Sequence, residues 1–74
     1  MAIVNMKATG ARIKAIMTEK NKKIVDIQNA CGFNTPQAIF KWFRGDAMPT
    51  IDNMVIIADV FGVTINDIVV IDNI

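Results

Sequence analysis

Histidine and tyrosine are missing from this chain altogether, and cysteine occurs once, at Cys31. Without histidine the commonest general acid–base of enzymes is gone. A lone thiol cannot close an internal disulfide, which points to a reducing compartment and a fold held by its core alone. Cys31 lies in the apolar run IQNACGF, where a cysteine reads as a small core residue and not as a nucleophile. No glycine-rich phosphate loop and no spacing of metal ligands is present. Asp46, Asp52, Asp59, Asp67 and Asp72 are spread along the chain and read as helix caps and solvated faces. An enzyme is therefore not expected, and neither is a cofactor, a metal or a small-molecule ligand. Also lacking is any uncharged stretch near the ~18 residues of a membrane span. The opening MAIVNMK has neither a basic leader nor the apolar length of a secretory signal, so a cytoplasmic protein is expected.

What is present is apolar matter and a polarised charge. Hydrophobic residues make up 53% of 74 residues, enough for one domain to bury a core near the lower size limit. The net charge is only +1, but residues 1–45 hold all eight Lys and Arg against Glu19 and Asp26, a balance of +6. Residues 46–74 carry five aspartates and no base, a balance of −5. For a polyanionic partner the local field matters more than the total, although small domains also acquire uneven charge by chance.

Apolar spacing and stop signals predict an all-α chain of five helices, with no repeat and no linker. Ile13, Ile16 and Met17 give a first helix over about Thr9–Asn21, and Ile24, Ile27 and Cys31 give a second over Ile24–Cys31. The third opens on Thr35 as cap with Pro36 in its first position and runs to Arg44. The fourth starts at Thr50 and ends at Phe61, and Thr64 with Asp67 marks a short fifth. Gly32, Gly45 and Gly62 close the second, third and fourth helices. A single domain over residues 1–74 follows, with a core region at 9–69 and a short extended tail at 70–74. The β-branched Val69, Val70 and Ile71 suit an extended segment, which either packs on the core or pairs with a second copy.

The third helix carries the functional signal. At about 100° per residue, Gln37, Phe40, Lys41 and Arg44 gather in one stripe, while Ile39 and Trp42 fall opposite and Ala38 and Phe43 lie on the flanks. Such a stripe is either a solubilising surface with Phe40 tucked against the domain, or a surface for the major groove of DNA. In that groove glutamine bonds adenine, lysine and arginine bond guanine, and an aromatic edge meets a thymine methyl. The second and third helices, joined by a tight turn at Gly32, have the layout of a helix-turn-helix. Lys22 and Lys23 stand at the start of the second helix, where free backbone N–H groups and positive charge suit a phosphate.

From Gly10 to Val69 the chain resembles the lambda-repressor-like, Xre/Cro-type helix-turn-helix family. The resemblance is carried by GARIK, IQNACGF, IFKWFRG and MPTIDNMVIIADVFGVTINDIV in that order. It implies a compact five-helix bundle that binds double-stranded operator DNA as a homodimer. It also implies base reading by Gln37 and Lys41 and backbone contacts by Thr35 and Arg44, with Ile39 and Trp42 in the core. Phe40 on the same stripe is expected to read bases too, and Asn34 to contact the backbone. Several positions depart from the family pattern. The Gly32–Ile39 segment is one residue longer, which puts Pro36 where a polar contact is common. Ile24 replaces a phosphate-binding glutamine, leaving Lys23 to substitute, and Gln28 replaces a small alanine. Phe43 replaces a glutamate that pairs in relatives with the residue matching Arg12, so Arg12 is expected to be unpaired and free for phosphate. The rival reading is a protein-interaction module on the same fold, an antitoxin or anti-repressor using the apolar tail and the acidic half.

Overall fold

In the computed structural model, which describes residues 1–74, five helices lie between two short strands. The order is β1 (Ala2–Val4), α1 (Met6–Glu19), α2 (Ile24–Cys31), α3 (Gln37–Arg44), α4 (Ile51–Phe61), α5 (Ile65–Ile68) and β2 (Ile71–Asn73). Helix α1 begins three residues before the expected Thr9 because Asn5 caps it, its Oδ1 accepting the Ala8 N–H at 2.9 Å. It also stops two residues short of Asn21, which turns the chain in the left-handed conformation at φ 57°. The bounds of α2 and α4 are as expected, and Thr50 accepts the Asn53 N–H at 3.2 Å. Thr64 and Asp67 bond reciprocally at the start of α5.

One cluster of 11 buried residues forms the core. Ile13, Ile16 and Met17 of α1 meet Ile39 and Trp42 of α3, and Met54, Ile57 and Phe61 of α4 close the other side with Ile27 and Ile68. Each such side chain contributes about 1.5–3 kcal/mol on burial. Ile24 and Cys31 are half-buried against this cluster. Burial pushes the Cys31 thiol above its usual pKa, which suits the core role expected for it. Trp42 meets the edge of Phe33 with ring centroids 5.7 Å apart.

The extended tail packs on the core at Val69 and then takes a route that was not expected. Strand β2 pairs antiparallel with β1 of the same chain, matching Ala2 to Asn73, Ile3 to Asp72 and Val4 to Ile71. Asn5 holds the base of this ribbon, its N–H donating to the Val70 carbonyl at 2.8 Å and its Nδ2 to Asp72 Oδ2 at 3.0 Å. The Val70 N–H donates to the buried Thr9 Oγ1 at 2.9 Å. The fold is thus all-α with one small two-stranded ribbon joining its ends. No helix is long and apolar enough to cross a membrane.

Candidate nucleic-acid interface

Helix α3 is held by the backbone of α1. Gly10 lies so close to it that a Cβ there would sit 1.8 Å from the Trp42 carbonyl oxygen. Gly45, just past α3, has φ 78°, and a Cβ on it would lie 2.6 Å from Lys7 Cα. Residues 7, 10 and 14 recur at the helical spacing of one stripe. That stripe brings Lys7 beside Gly45 and sets Lys14 Nζ 5.9 Å from the centre of the Phe43 ring. These two lysines were not singled out from the sequence. The 7–10–14 spacing was the available signal, but nothing local says which helix that stripe faces.

With Ile39 and Trp42 buried, the opposite side of α3 presents Gln37, Phe40, Lys41 and Arg44, all exposed. Phe40 is 38% exposed, because one side of it leans on Phe43, with centroids 6.5 Å apart and planes at 65°. It is neither free-standing nor tucked away. Lys41 and Arg44 lie in the last turn, where cations complement the helix dipole. Arg44 Nε also donates to Asp46 Oδ2 at 2.8 Å. Both side chains are more than half exposed, so this pair is weak, and the guanidinium keeps further donors.

The start of α3 differs from expectation. Thr35 is not its cap: Pro36 is, through its carbonyl, which accepts the Phe40 N–H at 3.1 Å. No side chain accepts from the first turn, and that turn holds no acid. Helix α3 is the only one of the five with neither device. Asn5, Thr50 and Thr64 cap α1, α4 and α5, and Asp26 stands in the first turn of α2. The N–H groups of Gln37, Ala38 and Ile39 therefore have no acceptor within the chain. Asn34 and Thr35 are exposed in the bend just ahead of them.

Lys22 and Lys23 are exposed before α2 as expected; the Lys23 N–H donates to Asp26 Oδ2 at 2.7 Å, while the Ile24 and Val25 N–H groups have no acceptor within the chain. Arg12 departs further. It is not unpaired, since Nη1 donates to the Asp67 carbonyl at 2.9 Å. That bond holds it on the flank between α1 and α5, where Arg12, Glu19, Lys20 and Asp67 rim an open cavity of about 280 Å³. The structure does not bring it to the α3 stripe. Its partner is a main-chain oxygen, which no side-chain pattern reveals.

Comparison with known proteins gives a consistent result. A family model described as helix-turn-helix matches residues 13–68. Among solved structures, the clp gene regulator ClgR from C. glutamicum superposes with a TM-score of 0.73 at 16% identity, covering 85% of this chain and 80% of its own. The DNA-binding domain of BldD superposes with a TM-score of 0.70 at 21% identity, covering 88% of this chain and 93% of its own. At those identities the likeness is one of fold. No curated protein matches the chain significantly.

Proposed function

The chain belongs to this helix-turn-helix family of DNA-binding regulators, not to a family of enzymes, and from that premise we propose that it is a sequence-specific repressor. It acts in the cytoplasm by laying α3 in the major groove of operator DNA, as a homodimer on a two-fold-related site. The observation that carries this reading is the bare start of α3 beside an exposed Gln37, Phe40, Lys41 and Arg44. Unpaired N–H groups at a helix start suit phosphate oxygens, while the side-chain types one turn on suit base edges.

Gln37 and Lys41 read bases, and Phe40 offers its exposed edge to a thymine methyl. Asn34, Thr35 and Arg44 bind phosphates of one backbone segment, Arg44 exchanging Asp46 for a phosphate. Lys22 and Lys23 reach another by their side chains, the Lys23 N–H itself being held by Asp26. Lys7 and Lys14 extend the cationic surface onto α1.

Selection of bound sequences from random duplex DNA tests the reading. A defined consensus made of two inverted half-sites is expected. Recovery of unselected sequence, with equal affinity for any duplex, would remove the specific reading. Capture of a protein partner without any DNA affinity would favour the antitoxin or anti-repressor alternative, to which the exposed apolar ribbon is also suited.

A further inference from the structure

The β1–β2 ribbon is exposed at all six of its residues. Ile3, Val4 and Ile71 remain 44%, 47% and 54% exposed. A two-stranded ribbon alone is marginal in water, and natural edges are usually blunted by lysine, proline or a bulge. Neither AIV nor IDN contains lysine or proline.

The hydrogen-bond register shows which groups face outward. Met1 and Ile74 exchange bonds, and the Asn5 N–H donates to Val70. In an antiparallel pair bonded and non-bonded positions alternate, so Ile3 bonds to Asp72 while Ala2 and Val4 turn their N–H and C=O groups away from β2. On the other edge Ile71 and Asn73 do the same.

We infer that β1 pairs antiparallel with β1 of a second copy across a two-fold axis at Ile3, joining two ribbons into one four-stranded sheet. This deepens the dimeric reading above and rests on it. A two-fold axis at Ile3 sets Ala2 against Val4 of the partner, and each such pair exchanges two main-chain hydrogen bonds. It brings the two Ile3 side chains together at a non-bonded position, where Cα atoms approach to about 4.5 Å and apolar pairs are favourable. The same operation on the β2 edge would set Asp72 against Asp72, and like charges directly opposite are destabilising. Chemistry thus selects β1.

Position agrees with this choice. The ribbon leads into α1 at Asn5, and Lys7 touches Gly45 at the end of α3. Two recognition helices in successive major grooves stand about 34 Å apart. The axis must then lie about 17 Å from each α3, a distance that fits a molecule measuring 37 × 23 × 20 Å. An edge of three residues is small against the roughly 1,200 Å² of a stable interface. The pairing is therefore weak in free solution and forms on DNA, where adjacent half-sites raise the effective concentration.

The test uses the full chain and the selected two-half-site duplex. Val4→Pro deletes an outward N–H of β1, and Ile71→Pro deletes the matching one of β2, so each controls for damage to the ribbon. Val4→Pro is expected to lower cooperativity at least tenfold with single-half-site affinity unchanged, and Ile71→Pro to preserve both. In a Cys31→Ala background with an added two-electron thiol oxidant, Ile3→Cys should form a disulfide-linked dimer on the duplex and Asp72→Cys should not. Full cooperativity in Val4→Pro, or cross-linking through position 72 instead of 3, would overturn the proposal while leaving DNA reading by α3 intact. If the wild-type chain bound no duplex, the DNA reading would fail. Sedimentation at about millimolar concentration would then decide the ribbon separately: wild type must dimerise and Val4→Pro must not.

Discussion

Helices α2 and α3 are both eight residues long, stand side by side and lack a side-chain cap, yet only α2 has an acid in its first turn. At α2 the Asp26 carboxylate folds back on the Lys23 N–H. At α3 nothing folds back, and three N–H groups follow a proline with no acceptor. Side-chain caps of about 1 kcal/mol each close α1, α4 and α5, and an acid in the first turn favours the start of α2, so α3, with neither device, has given up stability at that place. The sacrifice coincides with the one stripe of amide and cationic side chains on a helix surface. The one start with neither a cap nor an acid is the one where a partner can supply the missing acceptors.

The largest test of this contrast moves α3 as a body. Gly10→Ala puts a methyl group into the Trp42 carbonyl, forcing α1 and α3 apart. A loss of about 3 kcal/mol in urea unfolding is expected, with DNA binding falling in step. Unchanged stability would mean that α3 is not held by that contact.

Gln37→Ala and Lys41→Ala should leave stability alone and cut discrimination between selected and random DNA by about 1–3 kcal/mol each. Equal loss on both DNAs would turn these residues into backbone contacts.

A matched pair of threonines sharpens the comparison at smaller scale. Thr50→Ala removes a working cap and should cost about 1 kcal/mol. Thr35→Ala, one residue before the proline, should change melting by nothing measurable and weaken DNA binding. The reverse order of stabilities would restore Thr35 as the cap of α3.

The smallest effect is one of pH. Hydrogen bonds from the Thr64 backbone and side chain lower the pKa of Asp67. A lowered folded-state pKa stabilises above the unfolded value of about 3.9, and that contribution disappears as pH falls through the lower, folded value. Amide shifts at the start of α5 should therefore titrate at lower pH than an ordinary aspartate and vanish in Asp67→Asn. Those at Gln37 should not move, since α3 has no acid in its first turn.

Much of this was legible in the sequence. The apolar spacing of α2 and α4, and the start signals at Thr50 and at Thr64 with Asp67, act within a turn, and local signals report local bonds. The stripe on α3 was equally plain, because Ile39 and Trp42 fix which side is buried. What escaped notice spans the chain. Ala2–Val4 and Ile71–Asn73 are three-residue strands at opposite ends, too short to announce a pairing. Arg12 found a carbonyl 55 residues away, and Lys7 and Lys14 matter only once α1 is laid across α3. Thr35 was misread for a different reason: a threonine ahead of a proline is an ordinary helix start, and this site departs from the ordinary rule where function is proposed to lie.

The most direct test is a titration of ¹⁵N-labelled protein with the selected duplex, followed at every backbone amide. The account predicts that the Gln37, Ala38 and Ile39 amides shift most and gain protection from exchange, with Lys41 and Arg44 following and the start of α2 moving less. Large shifts at α2 with α3 amides unmoved would contradict it.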